Sequence, residues 1–187
     1  GVARDVEGER ILRRKIRYGT ADMTKEPAMT REEAVRALET GIEMAEWCAA
    51  QGYQLVCGGE MGIGNTTTSA AVTAVLTGAN VRDVTGRGAG LSSEGLERKV
   101  RAIETALKLH HPDPNDPVDI LHKVGGLDIA GMAGFYLGAA ACGLPVVLDG
   151  VISCAAALIA VRLCPAVRDY LIAAHQSAEP AGRLLLE

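Results

Sequence analysis

Residues 58–68 read GGEMGIGNTTT. The run lies between YQLVC at 53–57, which is short and rich in β-formers, and a small-residue stretch from Thr66 to Leu76 that suits a closely packed helix. Strand, glycine turn and helix make the repeating unit of a parallel α/β sheet. Glycines let backbone N–H groups close on an anion, and the first turn of the helix adds orphan N–H groups with a partial positive charge. Asn65, Thr66 and Thr67 add side-chain donors. No lysine follows the glycines, so the motif is not a nucleoside-triphosphate P-loop. Two readings stand side by side: a phosphate loop, or a strand-to-helix turn whose glycines serve packing alone. Glu60 is the odd member, because a carboxylate repels a bound anion. Either it faces solvent, or it stabilises a cationic transition state or accepts a proton.

The same unit repeats outward. Thr30-Arg31-Glu32-Glu33 has capping-box form and opens a helix with Val35, Leu38, Ile42, Ala45 and Ala49 on its apolar face, ending near Gly52. NVRDVT at 80–85 reads as a strand, followed by GRGAG. Ser92 caps a long amphipathic helix carrying Leu96, Val100, Ile103 and Leu107. Asp119–Val124 reads as a short helix, Asp128–Cys142 as a very small-residue helix, and Pro145–Leu148 as a buried strand. Ile152–Leu163 is apolar almost all round, Asp169–Ala174 is the last strand candidate, and a helix begins near Pro180. Continuously apolar strands alternating with helices predict a Rossmann-like parallel sheet with helices on both faces, formed by residues 1–187 as a single α/β core domain. Such sheets bind ligands at the carboxyl ends of their strands, so loops 58–65, 86–91, 149–153 and 175–180 are expected on one side.

Composition excludes several classes. The 187 residues are 48% hydrophobic, 3% aromatic and carry a net charge of −4. Few aromatics and no long basic stripe argue against a nucleic-acid partner. The densest basic run, RILRRKIR at 10–17, is expected to be a solvated face. The apolar stretch from Gly131 to Cys164 is broken by Pro145 and Asp149-Gly150, so buried elements are expected rather than a membrane span. Five cysteines in apolar flanks, with no CxxC, predict free thiols and a cytoplasmic protein. No spacing asks for a metal ion. The chain opens GVARDVEGER, with neither an initiator Met nor a signal-peptide pattern, and is expected to be a piece of a longer protein.

Other candidates carry a plain and a functional reading each. Gly88 and Gly90 belong to the second glycine cluster. Lys99, one helix further, is either solvated or, if its helix starts beside loop 58–65, a counter-ion for a phosphate dianion. In HQSAEPAG at 175–182, His175, Ser177 and Glu179 form either a hydroxyl-binding shelf or, through Ser177, a helix cap. His110 and His111 are expected in solvent, and His122 on a helix surface.

Taken in order, GGEMGIGNTTTSAA, GRGAGLSSEGLERKV, GGLDIAGMAGFYLGAA, GLPVVLDGVISCAAALIA and HQSAEPAG resemble the nicotinate-nucleotide:dimethylbenzimidazole phosphoribosyltransferases of cobalamin synthesis. YGTADMTKEPAMTREEA, upstream, is similar to that family too, so the resemblance covers nearly the whole chain. It implies a Rossmann-type α/β fold and a usually dimeric enzyme that needs neither metal nor cofactor. The reaction it implies moves ribosyl 5-phosphate from nicotinate mononucleotide to 5,6-dimethylbenzimidazole, with inversion at the anomeric carbon, giving α-ribazole 5′-phosphate and nicotinate. On the matching positions, Glu60 would stabilise the oxocarbenium-like charge. Gly62, Gly64, Asn65, Thr66, Gly88, Gly90 and Lys99 would hold the substrate, with Ser177 and Glu179 completing the ribose-phosphate pocket. The chain departs from the family's pattern in two respects: first, the glutamate named there as general base lies in a glycine-rich segment beyond position 187, and Glu187 lacks that context. A segment upstream that helps form the base-binding pocket is also missing. The expectation is therefore a substrate-binding core that is inactive alone, with a non-catalytic nucleotide-phosphate binding module as the alternative.

Overall fold

The structure, a computed structural model, describes residues 4–9 and 11–187. Arg10, at the head of the basic run, lies outside the described residues. Seven α-helices are found among them: α1 (Arg31–Ala50), α2 (Thr66–Thr77), α3 (Val81–Val84), α4 (Ser93–His110), α5 (Pro117–Val124), α6 (Leu127–Ala141) and α7 (Val151–Leu163). Three strands, β1 (Val56–Gly58), β2 (Val146–Leu148) and β3 (Leu171–Ala173), form a parallel sheet in the order β1-β2-β3. Val56 pairs with Val146 and Val146 with Leu171, so each strand starts level with its neighbour. The α/β class and parallel sheet expected from the strand–turn–helix rhythm are present.

The helix starts follow the predicted chemistry. Thr30 and Glu33 form a complete capping box on α1, Ser92 accepts from Gly95 N at 3.1 Å on α4, and Asp116 accepts from Val118 and Asp119 N on α5. The buried face of α1 differs from the predicted one. Ala34, Ala37, Leu38, Gly41 and Ala45 are buried, while Val35 is exposed. The cause is α6, which lies on α1 at backbone distance. A Cβ at Gly41 would run into the Gly131 carbonyl oxygen, and one at Gly134 into the Leu38 carbonyl oxygen. Small residues on both helices therefore make the contact, and bulky Val35 is turned outward.

Several elements differ from expectation. Residues 80–85 contain the short helix α3, not a strand. Asn80 Oδ1 accepts from Arg82 N at 2.9 Å and Thr85 Oγ1 donates to Val81 O at 2.6 Å. These local side-chain caps outweigh β-propensity where no neighbouring strand among the described residues offers a ladder. β1 starts at Val56, where Val56 N meets Pro145 O, which leaves Tyr53 and Leu55 exposed. Asp169 and Tyr170 close a 3₁₀ turn over Pro165–Tyr170 before β3 begins. The helix expected from Pro180 is two 3₁₀ turns, Pro180–Gly182 and Leu184–Leu186, the first closed by Gly182 N donating to Glu179 O. His110 and His122 are half-buried. Their rings meet the Met23 and Met29 carbonyls and tie segment 23–29 to α4 and α5.

Helix cover over the sheet is unequal. Val56, Gly58, Val146 and Leu148 are buried, with the Tyr136 ring of α6 lying under Gly58 and Ser153 of α7 donating to Gly58 O at 2.7 Å. Cys57 and Ile172 lie on the opposite row and are exposed. In the basic run, Arg13, Arg14, Lys15 and Arg17 each meet a carboxylate: Glu7, Glu43, Asp5 and Glu33. All five cysteines are free thiols. No helix of the described residues is long and apolar enough to cross a membrane.

The α1–α6 contact is testable. Gly134→Ala places a methyl against a backbone carbonyl that cannot yield cheaply, and overpacking of this kind costs about 1–3 kcal/mol. Urea denaturation should show a lower midpoint with an unchanged slope.

Candidate active site

The loop between β1 and α2 turns through Gly62 and Gly64, both with positive φ (77° and 81°), a backbone shape that suits glycine. The turn folds Glu60 back on its own loop. Glu60 Oε2 accepts from Gly62 N and from Asn65 Nδ2. Asn65 is the N-cap residue of α2, yet its side chain makes no cap bond. Its amide is diverted sideways: Nδ2 also donates to Asp128 Oδ2 at 2.6 Å. The first turn of α2 is thus left without a side-chain cap, and its N–H groups keep their capacity for an anion.

Glu60, Asn65 and Asp128 line one side of a cleft of about 390 Å³, with Met61, Ile63 and Thr68 beside them. Met61 and Ile63 are 85% and 77% exposed, so the cleft's rim carries two large apolar side chains with almost no protein cover. Asp128 is not among the sequence-predicted site residues; it reads there only as the start of a small-residue helix within a block of the family resemblance. Its signal is an acid in the first turn of a helix preceded by two glycines. A Cβ at Gly126 would crowd Asp128 Oδ1, so that glycine leaves room for the carboxylate.

A second cluster forms around the start of α2. Lys99, predicted as either solvated or a counter-ion, sits on the buried face of α4 and is 7% exposed. Its Nζ donates to Thr66 Oγ1 and to Gly86 O, both at 2.9 Å. Both acceptors are uncharged, and they use two of the three ammonium hydrogens. Burial lowers the Lys99 pKa, and the nearby Glu179 carboxylate opposes that shift. Glu179 Oε1 accepts from Gly88 N at 3.2 Å, and its carboxylate covers Gly86 so closely that a Cβ there would collide with it. Ser177 Oγ accepts from Glu179 N at 3.2 Å, fixing the turn that aims Glu179 at the loop.

The predicted residues therefore fall into two groups. Glu60, Gly64 and Asn65 line the cleft, with Gly62 donating its N–H to Glu60, and Thr66, Gly88, Lys99, Ser177 and Glu179 belong to the cluster beside it. Thr66 follows Asn65 directly, so the groups adjoin at the N-terminus of α2. Gly90 closes the turn of the second loop, its N–H donating to Arg87 O. His175 is exposed. Under Gly58, Tyr136 is fully buried, and desolvation raises its hydroxyl pKa. No group of three His, Cys, Asp or Glu is placed to hold a metal ion among the described residues.

The chain that forms this acid-lined cleft, with a glycine loop and a buried lysine beside it, has relatives of known family. Residues 1–187 match the family described as phosphoribosyltransferase, DBI_PRT. The nicotinate-nucleotide–dimethylbenzimidazole phosphoribosyltransferase of Acetivibrio thermocellus is 50% identical over 187 residues, which is 100% of this chain and 53% of that protein. The protein of the same name from Geobacter metallireducens is 55% identical over 177 residues, 95% of this chain and 50% of its own length. The crystal structure of CobT from Thermus thermophilus superposes with a TM-score of 0.93 at 43% identity, covering 100% of this chain and 56% of that one. The chain belongs to this phosphoribosyltransferase family, and it spans about half the length of the relatives it matches.

The state of Lys99 gives a pH prediction. Its folded pKa lies below the free value of 10.5. Between those two values the unfolded chain binds more protons than the folded one, so stability contributed by this group rises with pH. Denaturant midpoints of the wild type should rise relative to those of Lys99→Met as pH climbs through that window. A constant difference would mean that the ammonium is as well solvated folded as unfolded.

Proposed function

We propose that this chain is the ribosyl-phosphate-binding core of a nicotinate-nucleotide:dimethylbenzimidazole phosphoribosyltransferase. The observation that carries the reading is the buried Lys99 ammonium, held on two neutral oxygens between the α2 N-terminus and the second glycine loop. A buried cation with spare hydrogen-bonding capacity calls for an anion, and the 5-phosphate of nicotinate mononucleotide supplies one. The uncapped first turn of α2 and the Gly88 N–H lie beside it. The arriving phosphate takes over the Gly88 N–H from Glu179, which is freed toward the ribose.

With the phosphate anchored there, the ribose lies toward the cleft and its anomeric carbon toward Glu60. The C1–N bond to nicotinate breaks with its electron pair leaving on the pyridine nitrogen, and positive charge builds on the ribose. The Glu60 carboxylate, fixed by Gly62 N and Asn65 Nδ2, stabilises that charge without reorganising. A ring nitrogen of 5,6-dimethylbenzimidazole forms the new bond from the opposite side, which inverts the configuration and yields α-ribazole 5′-phosphate. The nucleophile's proton goes to a base supplied by the longer protein, in which the 187 residues are one α/β core domain of a cytoplasmic homodimer. No cofactor enters the scheme.

Calorimetric titration of this chain with nicotinate mononucleotide and with nicotinate riboside tests the reading. The mononucleotide should bind and the riboside should bind far more weakly. Lys99→Ala should weaken the mononucleotide about ten- to a hundredfold, in line with a lost charged hydrogen bond, and leave the riboside unchanged. Equal loss for both ligands would sink the assignment of Lys99 to the phosphate. In the longer protein, Glu60→Gln should lower kcat more than affinity. Mononucleotide binding there without turnover would favour a binding module over an enzyme.

A further inference from the structure

The Asn65 amide bridges two acids. One Nδ2 hydrogen goes to Glu60 Oε2 and the other to Asp128 Oδ2, while Oδ1 is buried without a partner among the described residues. An unpaired buried acceptor is unfavourable. The compensation lies on the other side of the amide. Turning it over would set Oδ1 against two carboxylates and strand both Nδ2 hydrogens. The two acids together fix which way Asn65 points, and neither alone uses both hydrogens.

We propose that Asp128 is a positioning residue for Glu60, acting through Asn65. Asp128 sits in the first turn of α6, a rigid helix locked to α1 at backbone distance, and Gly126 leaves its carboxylate the room it occupies. Glu60 by contrast sits on a loop with two positive-φ glycines. The amide carries the order of the helix to the loop: Asp128 holds one hydrogen of Asn65, which aims the other at Glu60, which in turn settles on Gly62 N. The inference rests on Glu60 being the acid of the reaction proposed above, and it assigns the group that keeps that acid in place.

The test uses ¹⁵N-labelled chain and needs no turnover. Gly62 N–H and the two Asn65 Nδ2 hydrogens report the three bonds of the relay. Asp128→Ala should shift one Asn65 side-chain hydrogen upfield and also move the Gly62 amide, although Asp128 does not touch Gly62. Asp128→Asn, whose amide oxygen can accept from Asn65, should restore the Gly62 position. In an Asn65→Ala background, Asp128→Ala should leave Gly62 where Asn65→Ala alone put it, because the relay is already cut. A Gly62 signal untouched by Asp128→Ala overturns the proposal. So does a shift of equal size with and without Asn65, which would mean that the acid acts on the fold at large. Thermal midpoints of all variants separate local release from global loosening. Titration of the unmutated chain with nicotinate mononucleotide is the independent control: its failure counts against the proposed reaction and leaves the relay to be judged by the spectra.

Discussion

The approach of α1 to α6 at backbone distance is the constraint on which the rest of this structure hangs. Gly41 and Gly134 each face a carbonyl oxygen of the other helix, and neither has room for a side chain. An interface of this kind gains dispersion contact along whole turns and loses little side-chain entropy on forming. It fixes α6, and α6 reaches the site at two points. Its first turn delivers Asp128 to Asn65, and further along it puts the Tyr136 ring under Gly58, at the end of β1. The glycine loop thus starts over one part of α6 and is tied down by another.

Around that frame, the loops deal with charge in a consistent way. Both glycine loops donate N–H groups to a carboxylate of the chain itself, Gly62 to Glu60 and Gly88 to Glu179. Exposed backbone donors are a ready anion site, and here each already holds an acid. The buried Lys99 cation stands beside the second loop. In the proposed reading a phosphate between α2 and Lys99 would compete with Glu179 for the Gly88 N–H, while the Glu60 bonds to Gly62 and Asn65 lie in the other loop.

Much of this was legible in the residue order. The capping box at Thr30, the Ser92 cap and the glycine turn after YQLVC describe local chemistry, settled by side chains close in sequence to the backbone groups they satisfy. Elements that depend on distant partners were misplaced. NVRDVT has the composition of a strand, yet no strand among the described residues lies beside it, and Asn80 and Thr85 close it into a helical turn. On α1, Leu38 and Ala45 are buried as expected, but Val35 gives way to Ala34, Ala37 and Gly41 because α6 packs at backbone distance and needs small residues. His110 and His122 read as surface residues because the carbonyls that hold them, Met23 and Met29, lie 87 and 93 positions away in sequence.

The sequence by itself determined the α/β class, the two glycine loops and the candidate residues on them, because glycine patterns, caps and apolar runs act over short stretches of chain. It also carried the family resemblance, which relatives at about half identity bear out. Only the tertiary structure decided that Lys99 is buried between two neutral oxygens, that Glu179 holds the Gly88 N–H, and that Asp128 shares an amide with Glu60. Those contacts join residues separated by 13 to 91 positions. Nothing in local propensity encodes such meetings, since they follow from where packed helices carry the ends of their first turns.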